Sequence, residues 1–143
     1  MEKRVVGIVM VLAGILLGGC ATPLNSVQKH ELEVYQVKGL AVDEKDPGAG
    51  AALGILPGGG SFYTRNYGLG VVNLLLWPLS ILWDPVSGYE GALSINYVVT
   101  KTTVDTKRDG ELSDLDDQLT LGTISKEDYV RRKREIESHY SAN

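Results

Sequence analysis

Cys20 is the only cysteine in this chain of 143 residues, and the residues before it suggest which chemistry its thiol undergoes. Lys3 and Arg4 precede thirteen apolar residues, Val5 to Leu17, and two glycines separate that run from the cysteine. The run is too short to cross a ~30 Å hydrocarbon core as a mature helix. A basic start, an apolar stretch and small residues at its end are typical of a secretory signal peptide. The pattern therefore predicts that the chain is exported.

The sequence Leu17-Gly18-Gly19-Cys20 resembles the lipobox of bacterial lipoproteins. That resemblance implies that residues 1–19 are removed, that the sulfur of Cys20 receives diacylglycerol, and that the new amino group is acylated. Two or more acyl chains give stable membrane attachment, whereas one gives only marginal binding. Because Ala21 rather than Asp follows the cysteine, the resemblance also implies an outer-membrane location, facing the periplasm, in a Gram-negative host.

Lipidation of Cys20 would leave the mature chain without a thiol, and so without a disulfide, a thiolate nucleophile or a cysteine metal site. The whole chain has 14 basic and 18 acidic side chains. Removal of Glu2, Lys3 and Arg4 with the signal peptide changes its formal net charge from −4 to −5. A negative net charge argues against nucleic acid as a partner.

No catalytic arrangement is visible in the sequence. The two histidines, His30 and His139, lie near opposite ends of the mature chain and have no metal-ligand spacing. Hydrolase, metalloprotease and nucleotide-binding motifs are absent from the sequence. We therefore predict that the protein is not an enzyme and has no catalytic residue, metal site or cofactor.

The middle of the chain is almost uncharged: Arg65 is the sole charged residue from Gly48 to Trp83. A Pro-Gly-Gly-Gly cluster divides this stretch into two arms, since such residues break helices. The first arm, Pro47 to Leu56, is expected to have Asp46 as its N-cap and would be roughly 15 Å long as a helix. The second, Gly68 to Trp83, would be roughly 24 Å long. Pro78 also interrupts the second arm, so neither arm is expected to span a membrane comfortably.

This segment resembles the two-transmembrane-helix domain family, in which a Gly-rich Phe-Tyr turn joins two apolar helices and an aspartate ends the second. The residues that match the motif are Pro57, Gly58, Gly59, Gly60, Phe62, Tyr63 and Asp84. The resemblance implies contact with membrane lipid. Given the arm lengths, we expect a re-entrant or interfacial hairpin rather than a full crossing. We also expect Asp84 to cap the helix that follows it, and Asn73 to form a hydrogen bond between the arms.

The segments on either side of the hairpin are predicted to be helical. Residues 25–38 have Asn25 as a cap and Gly39 as a stop, with a strand from Leu32 to Val37 as the alternative. Residues 89–106 include β-favouring Val and Thr, but no second strand is evident to pair with them. We therefore expect a helix there too.

The last thirty residues predict two amphipathic helices. Gly122 ends the first helix, and Ser125 caps the second with Asp128 at the capping-box position. The apolar positions that would form an association surface are Leu115, Leu119, Tyr129 and Ile136.

Residues 115–136 resemble the short C-terminal domain family abbreviated SHOCT. That resemblance implies an oligomerisation or docking role without catalysis. A hairpin of about 25 residues buries little on its own, so we expect a homo-oligomer or an envelope protein partner.

Together these features predict a mainly α-helical, lipid-anchored envelope protein with a structural or assembly role. The predicted segments are a signal peptide at 1–19, a lipidated N-terminus with a helix at 20–46, an apolar hairpin at 47–84, a connecting helix or strand at 85–110, and a helical hairpin at 111–143. Two alternatives remain open. An envelope-sensing or solute-binding module would need a polar-lined cavity. A small oligomeric pore would need a polar stripe, for which Asn73 and Ser80 are candidates.

Overall fold

The structure is a computed structural model that describes residues 23–142, and within them every regular element is helical. The elements are α1 (Ser26–Val37), α2 (Pro47–Leu53), α3 (Gly59–Tyr63), α4 (Tyr67–Leu75), a 3-10 helix (Leu79–Leu82), α5 (Asp84–Thr120) and α6 (Lys126–Tyr140). The prediction of a mainly α-helical chain is confirmed. The predicted signal peptide and Cys20 lie outside the described residues.

The chain forms two compact units. Among the described residues, unit 1 contains 23–24 and 44–96, and unit 2 contains 25–43 and 97–142. The boundary between them falls inside α5, which is one continuous helix of 37 residues. The predicted segment boundaries at residues 84 and 110 therefore do not match the boundary between the units.

The β-branched stretch of α5 is helical, as predicted. The hydroxyls of Thr102 and Thr106 donate to the carbonyls of Val98 and Thr102, at 2.9 and 2.8 Å, so their polar groups are satisfied within the helix. Ion pairs join Asp105 to Lys101 and Arg108 at helical spacing. No proline lies between Pro85 and the end of α5 to break the ladder.

The ends of α1 follow the sequence signals. Asn25 and Gln28 form a capping box in which each side chain accepts from the other residue's backbone N–H. Gly39 has φ of 69°, and the N–H of Leu40 donates to the carbonyl of Tyr35 at 2.8 Å. This is a Schellman ending, which favours glycine at the left-handed position. The helix predicted at 25–38 is confirmed over the strand alternative.

The apolar middle differs in detail from the predicted two arms. Asp46 caps α2 as expected, but α2 ends at Leu53. The glycine cluster is not only a turn, because Gly59 begins the short helix α3. The second arm divides into α4 and the 3-10 helix on either side of Pro78, since proline interrupts helical hydrogen bonding. Among the described helices, none combines the length and the apolar character needed to cross a membrane.

Unit 2 packs α1 and α6 with the C-terminal part of α5. Its core contains Tyr35, Val104 and Tyr140, and partly buried Leu40, Ala41, Ile136 and Ala142 pack against them. The ammonium of Lys38 donates to the carbonyls of Ser138, His139 and Ser141 at 2.9, 3.3 and 2.7 Å. Cations at a helix C-terminus satisfy the last carbonyls and stabilise the helix.

The turn between α5 and α6 has the predicted signals. Gly122 has φ of 69°, and Thr123 N–H donates to the carbonyl of Gln118 at 2.9 Å. Ser125 then caps α6 by accepting from the backbone N–H of Asp128 at 3.1 Å.

Candidate functional site

The interior of unit 1 contains a carboxylate, Asp84, that is fully buried. Its two oxygens accept from the backbone N–H groups of Gly60 and Ser61, both at 3.2 Å. The Ser61 hydroxyl donates at 2.6 Å and the amide of Asn73 at 2.7 Å. Asp84 is the first residue of α5, yet its carboxylate caps the N-terminus of α3. The predicted role of Asp84, to cap the helix that follows it, therefore differs from the one that these hydrogen bonds show.

Asn73 links three elements of unit 1. Its amide nitrogen donates to Asp84 and, at 3.0 Å, to the Ser61 hydroxyl, while its oxygen accepts from the indole N–H of Trp83 at 2.8 Å. The prediction that Asn73 needs a hydrogen-bond partner is confirmed, but its partners do not lie in the first arm: Ser61 lies between the arms, and Trp83 and Asp84 lie at the end of the second. A polar side chain in an apolar segment was the signal for it, because burial without a partner costs free energy.

Unit 1 also buries Asn96 and Thr64, for which the sequence predicted no role, and Ser80, a candidate for the polar stripe of a pore. Asn96 pairs with the backbone of Lys45, accepting from its N–H and donating to its carbonyl, both at 2.8 Å. Thr64 donates to the carbonyl of Gly60 at 3.1 Å. Ser80 is fully buried, and its hydroxyl has no hydrogen-bond partner within the described residues.

Glycines bring the helices of unit 1 together at backbone distance. A Cβ placed on Gly50 of α2 would lie 2.4 Å from the carbonyl oxygen of Gly88 in α5, and one on Gly88 would lie 2.2 Å from that of Gly50. Gly58, at φ of 68°, approaches the carbonyl of Gly70 equally closely. Small residues allow the close helix approach that is common in membrane proteins.

The exterior of unit 1 is apolar. Its exposed large apolar side chains are Ile55, Leu56, Phe62, Tyr67, Val71, Leu74, Leu75, Leu76, Trp77, Leu79, Ile81, Leu82, Trp83, Val86 and Tyr89. Leu75 and Leu82 are 77% and 79% exposed. Its buried apolar side chains, by contrast, are Leu24 and Ala92 within the described residues. So many exposed large apolar side chains in one small unit indicate an interaction site.

One end of unit 1 is polar. Arg65 and Glu44 form an ion pair at 2.6 Å, and the ammonium of Lys45 lies 4.6 Å from the centre of the Tyr63 ring. The Tyr63 oxygen accepts from the backbone N–H of Asp46 at 2.9 Å. The charged residues that flank the apolar segment therefore gather where α2 begins and α3 ends.

The predicted hairpin motif is largely brought together around α3. Gly58, Gly59 and Gly60 form its start, where Asp84 binds, and Phe62 and Tyr63 lie in its last turn. Phe62 packs on Gly70, because a Cβ on that glycine would lie 2.7 Å from the ring. Pro57 precedes the group and is partly buried.

The four predicted association residues belong to unit 2 and are buried within it to different extents. Leu115 is 3% exposed and Ile136 packs against the core cluster, while Leu119 and Tyr129 are half-buried. The Tyr129 hydroxyl donates to Asp116 at 2.7 Å, and this hydrogen bond raises the pKa of Tyr129. The C-terminal hairpin, which was predicted to bury little on its own, thus packs against α1 of the same chain, a contact that the sequence does not indicate.

Unit 2 also has two open cavities. One, of about 420 Å³, is lined by Glu31, Tyr35, Lys101, Arg108, Leu112, Glu137, Tyr140, Ser141 and Ala142. The other, of about 370 Å³ and here named the α5–α6 cleft, is lined by Glu111, Asp114, Leu115, Gln118, Arg132, Glu135 and Ile136. Two of the predicted association residues, Leu115 and Ile136, therefore line one cleft.

Tyrosine hydroxyls near these cavities donate hydrogen bonds to carboxylates. Tyr97 donates to Glu31 at 2.7 Å, and this hydrogen bond, with partial burial, raises the pKa of Tyr97 to about 12. Tyr140 donates to Glu111 at 2.7 Å, which raises its pKa as well. His30 and His139 are both exposed. Across residues 23–142, no three His, Cys, Asp or Glu side chains are placed to hold a metal ion.

No protein-family model matches this chain, and neither a curated protein nor a solved structure does. The resemblances to the lipobox, the two-transmembrane-helix domain and the SHOCT domain therefore stay predictions.

Proposed function

We propose that this protein is a bacterial envelope lipoprotein, anchored through acylated Cys20, that has a structural or assembly role. In a Gram-negative host it would lie on the outer membrane and face the periplasm. The observation on which the proposal depends most is the contrast between the two units. The polar interior and apolar exterior of unit 1 fit a protein at a membrane, and the charged exterior of unit 2 fits water and other proteins.

The role of unit 2 in this proposal is association. Its α5–α6 cleft places the partly buried Ile136, above the buried Leu115, among charged residues, and Arg132 at the rim contacts Gln118 at 3.3 Å. Leu121, at the end of α5, is 77% exposed. An apolar floor with a polar rim is the usual composition of a protein-binding surface. The partner is a second copy of the chain or another envelope protein.

Site-specific crosslinking in intact cells tests the association. A photo-crosslinking amino acid is placed at Gln118, on the rim of the α5–α6 cleft, and separately at Val98, a control position on α5 that is 57% exposed. We expect a discrete crosslinked species from position 118 and none from position 98. Either no species or the same species from both positions would contradict the assembly role. Mass spectrometry of the mature N-terminus tests the anchor independently.

The larger cavity of unit 2 favours a second candidate, a solute-binding module. Its lining combines two tyrosines with both signs of charge, which suits a small zwitterionic solute. Protection of unit 2 from thermal unfolding by a panel of amino acids and short peptides would support this function. The pore alternative has less support, since Asn73 and Ser80 are both buried inside unit 1.

A further inference from the structure

We propose that unit 1 inserts into a single leaflet of the bilayer in one defined orientation. Residues 53–59 and 74–83, here named the apolar end, lie among the acyl chains. Residues 44–46 and 63–66, named the polar end, lie at the headgroups. The inference rests on the proposed membrane location and adds a protein-made contact, distinct from the lipid anchor, with a stated depth and direction.

The two ends are defined by the direction of each helix. α2 begins at the polar end, and α3 returns to it, because the backbone N–H of Asp46 donates to the Tyr63 hydroxyl. At the other end of these helices, a Cβ on Gly59 would lie 2.2 Å from the carbonyl oxygen of Leu53. α4 begins at the polar end again, just after Asn66, and ends at Leu75.

The first part of α5 gives the depth of unit 1. Its first residue, Asp84, binds Gly60 near the start of α3, and Asn96 binds Lys45 at the polar end. These positions are twelve residues apart, which is roughly 18 Å along a helix. One leaflet contributes half of the ~30 Å hydrocarbon core. Unit 1 is therefore deep enough for one leaflet and too shallow for two.

Backbone groups at the apolar end are paired within the unit. The N–H groups of Leu79, Ile81 and Trp83 donate to carbonyls three residues earlier, at 2.8, 3.2 and 3.1 Å. Backbone groups in hydrocarbon must be paired within the protein. The polar side chains in or next to this end are turned away from the surroundings. Ser80 is fully buried, the adjacent Asp84 is enclosed by its four donors, and the indole N–H of Trp83 donates to Asn73.

The charged side chains of unit 1 are also distributed unevenly between the polar end and the apolar end. From residue 47 to residue 96 the charged side chains are Arg65, Asp84 and Glu90. Arg65 is at the polar end and paired, and Asp84 is internal. Glu90 is half-buried and lies six residues after Asp84, so it is roughly 9 Å closer to the polar end along α5. The exposed surface of the apolar end therefore has no charged side chain.

The distribution of the exposed apolar residues favours a bilayer over a second copy of the chain. They follow α2 at Ile55 and Leu56, and they occur on α4, on the 3-10 helix and on the start of α5. Lipid can cover the exposed side chains of all these elements at once, whatever their directions, whereas a second copy would cover one face. Tyr67, which is exposed near the polar end, suits the region near the interface.

The two tryptophans of the chain, Trp77 and Trp83, both belong to the apolar end, so intrinsic fluorescence reports on it directly. The full-length mature protein is reconstituted in phosphatidylcholine vesicles whose acyl chains carry bromine, a contact quencher, near either the glycerol or the methyl end. Subtracting the Trp77→Phe signal from that of the wild type isolates the fluorescence of Trp77. This side chain is 51% exposed and is not among the hydrogen-bond partners of Asp84 and Asn73.

We expect bromine within the acyl chains to quench Trp77. A matched tryptophan in place of Tyr67, which is 65% exposed near the polar end, should be quenched mainly by bromine near the glycerol. Leu82→Asp should abolish the quenching of Trp77, whereas Val98→Asp in unit 2 should leave it unchanged. Both aspartates are placed at exposed positions, so neither disrupts a core.

Two results would overturn the inference. One is a Trp77 signal insensitive to bromine in vesicle-bound protein, which would mean that the acyl anchor alone holds the chain. The other is equal quenching at positions 67 and 77, which would mean that the unit has no fixed orientation. Failure of the proposed lipoprotein function appears elsewhere, as an unacylated Cys20 or as absent crosslinks, so the two failures are distinguishable.

Discussion

Unit 1 and unit 2 are built from the same kind of element but have opposite interiors. The buried positions of unit 1 are mainly glycines and polar side chains, and those of unit 2 include Leu32, Tyr35, Val104, Leu115 and Tyr140. Unit 2 follows the ordinary rule that apolar burial drives folding in water. Unit 1 is held together instead by hydrogen bonds between polar side chains and by close backbone contacts. Interactions of this kind hold helices together in apolar surroundings. This contrast between the two interiors is the one expected if, as proposed, unit 1 lies in lipid and unit 2 in water.

The largest expected effect on the stability of unit 1 comes from removing its buried carboxylate, Asp84. We expect Asp84→Ala to destabilise unit 1 by about 3 kcal/mol or more, because several buried donors lose their acceptor at once. Chemical unfolding in detergent micelles, followed by Trp fluorescence, measures the change. Asp84→Asn keeps the shape and one acceptor, so it should cost less. Equal stability of wild type and Asp84→Ala would refute a polar core.

The backbone contact between α2 and α5 should tolerate no added methyl group. Gly50→Ala should destabilise unit 1 by about 1–3 kcal/mol, because its Cβ would meet the carbonyl oxygen of Gly88 at 2.4 Å. Gly68→Ala is the matched control, since nothing lies within 4 Å of a Cβ there. In that helix alanine should stabilise by about 0.5–1 kcal/mol. The same unfolding assay applies, and like signs for both variants would contradict the packing.

In unit 2 the corresponding test removes apolar volume. Val104 is 1% exposed, so Val104→Ala should lower the free energy of unfolding by about 2 kcal/mol through lost burial and a cavity. Val98→Ala, at an exposed position of the same helix, should change it little. Circular dichroism in denaturant measures both variants. A larger loss at position 98 would mean that α5 packs differently.

A smaller effect should follow from the contact between Lys38 and the end of α6. Lys38→Met keeps much of the side-chain length but removes the donor to the carbonyls of Ser138, His139 and Ser141. We expect a loss of about 1 kcal/mol and faster amide exchange in the last turn of α6. Hydrogen exchange read by mass spectrometry locates the change. Unchanged exchange there would exclude the capping role.

The stability of unit 2 should also depend on alkaline pH. Tyr97 has its pKa raised to about 12 by its hydrogen bond to Glu31, above its ordinary value of 10.0. Below pH 10 the stabilisation is fully present, and it is lost as the pH rises towards 12, because only the folded state still holds the proton. Unfolding at several alkaline pH values should show this loss. Tyr97→Phe should remove it and Glu31→Gln should shrink it.

The local features of the fold could be predicted because each depends on a few neighbouring residues. The caps at Asn25, Asp46 and Ser125 and the stops at Gly39 and Gly122 are short-range signals that the structure confirms. The need of Asn73 for a partner was also readable, since an amide in an apolar segment cannot remain unpaired. Its partners Ser61 and Trp83 were not, because they are 12 and 10 residues away and depend on how the short helices pack.

Tertiary structure decided where the apolar residues point. The sequence by itself determined the nearly uncharged, glycine-rich composition from Gly48 to Trp83. The spacing of its apolar residues predicted two amphipathic C-terminal helices, and a short motif predicted the lipobox-like site at Cys20. Whether a given leucine is inside or outside depends on which elements meet, and no local pattern specifies that. Thus Leu115 is buried within unit 2 although it was expected to face a partner, while Leu75 and Leu82 remain exposed. The physical reason is that Asp84 and the close glycine contacts occupy the interior of unit 1, which leaves room for few apolar side chains.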